Sequence, residues 1–381
     1  MSAPDRAEKL RVQLVETLVA EGRIRSAQWR RAFERVPRHL FVPRFYRYPR
    51  YPEPGRVVVD GSDPEQREEW LASVYSDRVL NILWDEDRPL VNSTSSKPSV
   101  MAEMLKMLDV HDGHTVLEVG TGSGYNAALL CERLGSERVT TVDIDPSLIE
   151  AAVPRLRAAG YTPVVAVADG FEGYPPHAPY DRVIATCEVR RVPAAWLEQT
   201  RPGGLILAVL PHGMALLSVA AGGSAEGHFH PQPLDFMRMR EHSPSPPPRE
   251  ELVALVSQEG VSRPLAMDLA RRLHDEDAHS AFWFFERLLV LRCEEMVEFG
   301  PSAGGVVDLA DGSWTRFDLN EARVIQGGPR RLRDATEELY LLWTELGRPG
   351  RERFGLTVTP DGRHVAWLDS PDSPHRWELA G

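Results

Sequence analysis

The chain has 381 residues, 42% of them hydrophobic and 26% charged, with a formal net charge of −12. That apolar content suffices for a sizeable core and excludes disorder as a class, and the length suits two domains. The acidic balance argues against non-specific binding to nucleic acid or an anionic membrane, and no apolar run approaches the roughly 18 residues that a membrane span needs. The cysteines, Cys131, Cys187 and Cys293, are too few and too widely spaced for a disulfide framework or a metal-ligand pair. Buried thiols in a reducing cytoplasm are expected, and the charged, amphipathic N-terminus has no signal-peptide core.

Leu10, Leu14, Leu18 and Val19 predict an amphipathic helix over residues 5–21, and a second helix is expected over Ala27–Arg35. Pro37 and Pro43 bracket the segment VPRHLFVP, which should be extended or turned. Residues 44–65, rich in Tyr, Pro and Arg, read as an irregular excursion, with order resuming over Glu69–Leu83. From 97 to 211 the period alternates: helix Ser99–Leu108, strand Thr115–Val119, helix Asn126–Leu134, strand Val139–Ile144, helix Pro146–Ala159, then strands Pro163–Val167, Arg182–Thr186 and Leu205–Leu210. This predicts an α/β fold, a doubly wound sheet with a parallel core. MALLSVAA and DFMRMR, within 214–241, are expected to add an antiparallel pair. The stretch His242–Arg249 (HSPSPPPR) reads as an extended spacer. Beyond it, residues 304–326 alternate around Asp311-Gly312, Leu332–Leu346 is helical, and RFGLTVTPDGRHVAWL is a hairpin around Asp361-Gly362. The expected organisation is a helical N-terminal region with an insertion (1–92), the core (93–241), a linker (242–250) and a small α+β accessory domain (251–381).

The stretch Val116–Tyr125 (VLEVGTGSGY) carries the chemistry. Gly120, Gly122 and Gly124 let the backbone turn sharply and approach a ligand, and the following helix N-terminus should add unpaired N–H groups and a positive dipole end. Dinucleotide enzymes aim such an end at a pyrophosphate; methyltransferases aim it at the methionyl carboxylate and ribose of S-adenosylmethionine. Glu118 inside the first strand, Asp143 and Ile144 at the end of the second, and Asp169-Gly170 at the end of the third favour the methyl donor. Asp143 would accept hydrogen bonds from the ribose hydroxyls and Asp169 would hold the adenine amino group, while Asp145 before Pro146 caps a helix. The candidate cofactor site is therefore Glu118, Gly120, Thr121, Gly122, Ser123, Gly124, Tyr125, Asp143, Ile144, Asp169 and Gly170.

The runs VLEVGTGSGYNAALL, VDIDPSLIEAA, ADGFEGYPPHAPYDRVIAT and LEQTRPGGLIL, with VPRHLFVP and STSSKPS upstream, together resemble the protein L-isoaspartate O-methyltransferases, over roughly residues 27–241. The resemblance implies a class I methyltransferase fold with S-adenosylmethionine as cofactor. It also implies that a Thr-x-Ser-x-Pro pattern, here Thr94, Ser96 and Pro98, contacts the substrate carboxyl. Thr94 and Ser96 would orient the carboxylate oxygen, and Ser93, Ser95 and Lys97 complete the candidate substrate-binding set. The family usually has Gln where this chain has Lys97, which either attracts a peptide carboxylate or is a surface lysine. An aspartate has an unperturbed pKa of about 3.9, so the acceptor is already anionic and needs no general base. Accordingly no Ser-His-Asp or metal constellation is expected.

Two additions depart from the compact repair enzymes of the family: the insertion before Ser93 and the region after the proline-rich stretch. Both, with WLASVYSD, YNAALL, ATCEVRRVPAAWLEQT and FMRMR, resemble the branch that accompanies ribosomally made, modified peptides, especially those matured by ATP-grasp ligases, with lanthipeptide- and lasso-peptide-associated relatives as close alternatives. The resemblance then implies methylation of an aspartate in a modified precursor peptide, leading to aspartimide and onward to isoaspartate. The alternative is repair-type action on damaged proteins; a small-molecule methyltransferase, a dehydrogenase and a non-catalytic peptide-binding module are the remaining readings. Arg44, Arg47, Arg50, Arg56 and Lys97, with Tyr46, Tyr48 and Tyr51, form a candidate peptide-contact set, and the C-terminal domain is a second. His39 and His212 are expected to be structural. No nucleic-acid or membrane partner is expected, and the oligomeric state is left open.

Overall fold

The computed structural model describes residues 3–48, 55–84, 91–211, 213–234, 236–240, 247–275, 280–291, 294–300 and 302–379. Arg50, Tyr51, His212, Cys293 and residues 242–246 of the proline-rich stretch lie outside them. The chain forms two compact units: Met1–Cys187 with Pro193–Leu207 and Ser218–Gly223, and Glu188–Val192 with Ala208–Leu217 and Ser224–Gly381. The long segment of the second unit thus starts ahead of the proline-rich stretch.

The first unit opens with helices α1 (Ala3–Ala20) and α2 (Ala27–Arg35). Ser26 caps α2, its hydroxyl accepting the Trp29 N–H at 3.1 Å and satisfying a donor that a helix start leaves unpaired. VPRHLFVP, expected to be extended or turned, contains a one-turn helix, α3 (Arg38–Phe41). The described residues of the insertion include two strands. Strands β1 (Arg44–Arg47) and β2 (Val57–Asp60) pair antiparallel from Arg44↔Asp60 to Arg47↔Val57, because Phe45 and Val59 alternate inward and are buried. Helix α4 (Arg67–Val74), β3 (Leu80–Trp84) and β4 (Val91–Ser95) follow, giving a sheet of order β2-β1-β3-β4.

The core continues with α5 (Pro98–Met107), β5 (Val116–Val119), α6 (Tyr125–Leu134), β6 (Val139–Asp143), α7 (Pro146–Ala158), β7 (Val164–Val167), β8 (Tyr180–Glu188), α8 (Ala194–Glu198) and β9 (Thr200–Leu210). Strand β5 pairs parallel with β6 on one side and β8 on the other, and β6 pairs with β7. All four residues of β5 are buried, as a central parallel strand covered on both faces must be. The chain winds outward from β5 through β6 to β7 and returns to the other side at β8. The strand order therefore reverses beside β5, where ligands meet the carboxyl ends of such sheets.

In the second unit, MALLSVAA contributes to β10 (Gly213–Val219), but DFMRMR is not its partner strand; that place belongs to β11 (Ala225–Phe229). Arg238 makes only an isolated bridge with Glu188, and its guanidinium turns to Glu295 at 2.9 Å and the Glu294 carbonyl at 3.0 Å. The proline-rich stretch ends directly in a helix, α9 (Arg249–Val256). Then come β12 (Val261–Pro264), α10 (Met267–Asp275), α11 (Ala281–Leu289), β13 (Glu294–Gly300), β14 (Ala303–Asp308), β15 (Ser313–Asp318), β16 (Arg323–Gly327) and α12 (Leu332–Glu345). An antiparallel sheet of order β12-β16-β15-β14-β13 buries Val297, Val307 and Trp314 against Leu252 and Val256 of α9. The strands β17 (Phe354–Val358) and β18 (His364–Leu368) form the expected hairpin, with β19 (Arg376–Glu378) beside β18. Residues 188–192 join this unit through His364, whose Nε2 accepts the Val192 N–H at 2.9 Å while Nδ1 faces the Gly362 carbonyl at 3.0 Å.

Candidate active site

Strand β5 delivers the chain into the glycine turn. Gly120, Gly122 and Gly124 have φ of +101°, +51° and +85°, a region that L side chains rarely occupy. A Cβ on Gly120 would lie 2.5 Å from Thr186 Oγ1 at the end of β8. That hydroxyl donates to the Gly120 carbonyl at 2.7 Å and lies 3.1 Å from the Val119 carbonyl. Most N–H groups of the turn itself are engaged within the protein. Gly120 and Thr121 donate to the Val142 carbonyl, Gly122 to Asp143 Oδ2 at 2.9 Å, Gly124 to the Thr121 carbonyl and Tyr125 to Ser123 Oγ. The turn is a braced scaffold, and its use to a ligand is close approach to bare backbone.

Glu118 braces the turn from behind. It is 0% exposed, and its carboxylate is engaged within the protein. Its Oε1 accepts from Asn126 Nδ2 at 2.7 Å and its Oε2 pairs with Thr141 Oγ1 at 2.6 Å, while Thr141 Oγ1 meets Thr121 Oγ1 at 2.7 Å. Strand, helix and turn are thereby tied together. Burial raises the Glu118 pKa to about 7, from 4.5 in the unfolded chain. The folded state therefore holds the proton over a window in which the unfolded state has released it, and stability falls as pH rises from 4.5 through about 7. Glu118→Gln keeps a donor toward Thr141 and an acceptor for Asn126 but cannot titrate. Its melting temperature relative to wild type should climb across that window and level off above it; a difference independent of pH would contradict the argument.

Asp143 accepts the Gly122 N–H through Oδ2 and the Asp145 N–H through Oδ1 at 3.1 Å, with Ile144 half-buried between them. Asp145 caps α7 as expected, its Oδ1 accepting the Ser147 N–H at 2.9 Å. Asp169 accepts the Phe171 N–H at 2.9 Å, and the Gly170 carbonyl accepts from Trp196 Nε1 at 2.7 Å. Strands β5, β6 and β7 are neighbours, so the glycine turn, Asp143 and Asp169 line one end of the sheet in that order. The Tyr125 ring points elsewhere: it is buried against Phe33, Phe41 and the Arg38 guanidinium, and anchors α6 to the N-terminal helices. Thr121 and Ser123 are also buried, acting within the turn.

The segment carrying Ser93–Pro98 meets this turn. A Cβ on Gly122 would sit 3.6 Å from the Thr94 carbonyl oxygen and 3.7 Å from Ser93 Oγ, ordinary contact distances. Along β4 the side chains alternate, with Ser93 and Ser95 buried and Thr94 half-buried; Ser96, just beyond, is half-buried too. Ser95, expected to bind substrate, instead turns inward and accepts from Arg38 Nη2 at 3.3 Å. The hydroxyls of Thr94 and Ser96 have no hydrogen-bond partner among the described residues. Pro98 opens α5, whose Ser99 N–H is accepted by Asp77 Oδ1 at 2.8 Å, while Asp77 Oδ2 pairs with Lys97 Nζ at 3.2 Å. The Lys97 charge is thus already balanced. In the basic set, Arg47 lies 3.5 Å from Glu69, Arg56 stacks over the Tyr46 ring, and Tyr48 is exposed beside Trp84. His39 meets the Tyr75 hydroxyl at 2.7 Å.

Sequence reasoning missed Asn126, Thr141, Thr186, Asp77 and Arg38. Their signal is a spatial one: Thr141 matters because parallel register places it opposite Glu118. Among the described residues no group of three or more His, Cys, Asp or Glu could hold a metal, and no helix is long and apolar enough to cross a membrane.

A parallel sheet with a glycine turn after its central strand and acids at the ends of the next two strands is the fold of a class I S-adenosylmethionine-dependent methyltransferase. The family model described as protein-L-isoaspartate(D-aspartate) O-methyltransferase matches residues 9–218, more than half of the chain, and the chain belongs to that family. It is 37% identical over 205 residues to a protein-L-isoaspartate O-methyltransferase of Ignicoccus hospitalis, covering 52% of this chain and 81% of that one. It is 38% identical over 208 residues to its namesake from Methanopyrus kandleri, covering 54% and 77%. A solved structure of a protein-L-isoaspartate O-methyltransferase shares the fold at 21% identity with a TM-score of 0.54, covering 94% of this chain and 100% of its own. That coverage takes in most of the C-terminal region, which therefore does not by itself argue for a dedicated peptide substrate. The chain is a carboxyl O-methyltransferase that uses S-adenosylmethionine.

Proposed function

We propose that the chain esterifies an aspartyl side-chain carboxylate in a ribosomally made, modified precursor peptide. The observation that carries the carboxyl acceptor is the approach of the Thr94 carbonyl and the Ser93 hydroxyl to Gly122, beside the two unengaged hydroxyls of Thr94 and Ser96. The residues present fit the cofactor: bare glycine backbone at positive φ and two carboxylates, Asp143 and Asp169, on adjacent strand ends would hold it. S-adenosylmethionine, when bound, supplies an electrophilic methyl group. Thr94 and Ser96 donate hydrogen bonds to the acceptor carboxylate and fix its orientation, and the segment excludes water from it. No protein base is required, since the carboxylate is anionic from about pH 4 upward.

The preference for a dedicated peptide rests on the insertion. Its strand β1 pairs with β3, which in turn pairs with β4, so that Val58, Tyr46, Asn81 and Thr94 occupy one cross-strand row. A polypeptide reaching Thr94 meets a face that this insertion provides. In the ester, the backbone nitrogen of the following residue attacks the side-chain carbonyl carbon. The C–N bond forms, the C–O bond to methoxide breaks, and methanol leaves with the amide proton, giving aspartimide; water then opens the ring to isoaspartate. The second reading, repair-type action on isoaspartyl proteins, is favoured by the names of the relatives at 37–38% identity.

One assay separates them: the enzyme and S-adenosylmethionine are incubated with a synthetic isoaspartyl peptide and, separately, with a ring-closed precursor peptide. Mass gain of a methyl group followed by methanol loss on the precursor alone is expected. Rapid methylation of the isoaspartyl peptide alone overturns the first reading in favour of the second.

A further inference from the structure

Arg38 is fully buried, yet no carboxylate is among its hydrogen-bond acceptors in the described residues. Its Nη1 donates to the carbonyls of Val74 at 2.9 Å and Ser76 at 3.2 Å. Its Nη2 faces the carbonyls of Arg78 at 3.2 Å, Ser95 at 3.3 Å and Ser96 at 3.0 Å, together with Ser95 Oγ at 3.3 Å. The guanidinium also stacks 5.8 Å from the Tyr125 ring centroid. Burial lowers its pKa to about 10, which leaves it a cation at neutral pH.

A buried cation costs several kcal/mol unless dipoles or charges compensate it, so space-filling alone does not explain an arginine here. Five main-chain carbonyls from two segments point at one spot and would repel one another around an apolar side chain. A planar fork reaches them together through its two terminal amino groups, with Nε unpaired among the described residues; the compact ammonium of a lysine does not. Ser95 and Ser96 lie at the end of the strand that presents Thr94, and the direction of their carbonyls sets the direction of the neighbouring side chains. Asp77, between Ser76 and Arg78, holds the same stretch at its far end through Ser99 N–H and Lys97.

We infer that Arg38 is a positioning residue for the acceptor site: by gathering the Ser95 and Ser96 carbonyls onto the 74–78 segment it sets the facing of the Thr94 and Ser96 hydroxyls. The inference rests on the reading of Thr94 and Ser96 as carboxylate-binding residues. It places the residue that organises the acceptor in VPRHLFVP, some 58 residues ahead of Ser96.

The test uses the full chain with Arg38→Lys and Arg38→Met, each checked for cooperative thermal unfolding. Hydrogen exchange of the 93–97 amides is compared with that of the 120–124 turn, S-adenosylhomocysteine affinity is measured by calorimetry, and turnover is measured with the isoaspartyl peptide and the precursor peptide. In Arg38→Lys, exchange at 93–97 should quicken about tenfold or more, and kcat/KM for whichever peptide the wild type methylates should fall by a similar factor, since charge-assisted hydrogen bonds are lost. Exchange at 120–124 and S-adenosylhomocysteine affinity should stay within about twofold, a split that a general loss of structure does not produce. A folded Arg38→Lys with wild-type exchange and kinetics, or with cofactor affinity falling in step with turnover, overturns the inference. Should Arg38→Met not fold, the lysine variant decides alone. Unchanged turnover in Thr94→Val and Ser96→Ala would overturn the acceptor reading itself, and this role with it, whatever the exchange data show.

Discussion

Gly120→Ala should weaken S-adenosylmethionine binding about 100-fold, the expected result of two penalties that act at one atom. The first is conformational: φ at Gly120 is +101°, and an L residue held in such a region carries roughly 1–3 kcal/mol of strain. The second is steric. The new Cβ would stand 2.5 Å from Thr186 Oγ1, so that hydroxyl must swing away and give up its hydrogen bond to the Gly120 carbonyl. The turn then relaxes out of the shape that admits a ligand, and affinity falls with the population of that shape. Adding Thr186→Ala should recover about tenfold, because it removes the collision and leaves the backbone strain; a factor of ten is about 1.4 kcal/mol. Calorimetric titration with S-adenosylhomocysteine reads both steps. Wild-type affinity in Gly120→Ala would show that the turn does not approach the cofactor.

The second large effect falls on the acceptor. Thr94→Val with Ser96→Ala removes two hydroxyls that have no protein partner, so neither change breaks an internal hydrogen bond among the described residues. Stability should therefore hardly move. Each hydroxyl that donates to a carboxylate is worth about 1.5–3 kcal/mol, and the pair should cost at least about 100-fold in kcat/KM for the methyl acceptor. Cofactor affinity should remain within about twofold, since the changed side chains lie on the strand beside the turn and not in it. Single variants distinguish the two positions, and Thr94→Ser, which keeps the hydroxyl, should retain most activity. A double variant with intact turnover would remove the segment from the acceptor site.

The methyl-donor end of the molecule was legible because its signals are local. Val116–Val119 is a short apolar run containing one acid, and the glycines that follow have no reason to cluster except a turn with positive φ. Asp143, Asp145 and Asp169 stand at strand ends that alternation alone locates, and the Asp145 cap is visible from the proline after it. The flanks of the insertion were not legible. Phe45 and Val59 make a hairpin only because each buries a side chain against the rest of the fold, and the intervening Pro- and Gly-containing sequence hides that pairing. DFMRMR failed for the opposite reason: its alternation is real, but Arg238 is engaged by glutamates of β13.

Within the site, residue type was readable and direction was not. Ser93, Ser95, Thr94 and Ser96 look equivalent in sequence, and only the pleat of β4 sends Ser95 toward Arg38 and leaves the Thr94 and Ser96 hydroxyls unengaged. Glu118 was marked as a cofactor contact by its place before the glycines, and register with Thr141, 23 residues away, makes it an internal brace. By itself the sequence pointed to the methyl-donor class through its family motifs and the acids after the glycine turn, because the turn alone is shared with dinucleotide sites. Tertiary structure alone decided which side chains hold the frame, because those roles are set by hydrogen bonds between segments 23–58 residues apart, a distance over which no local pattern carries information.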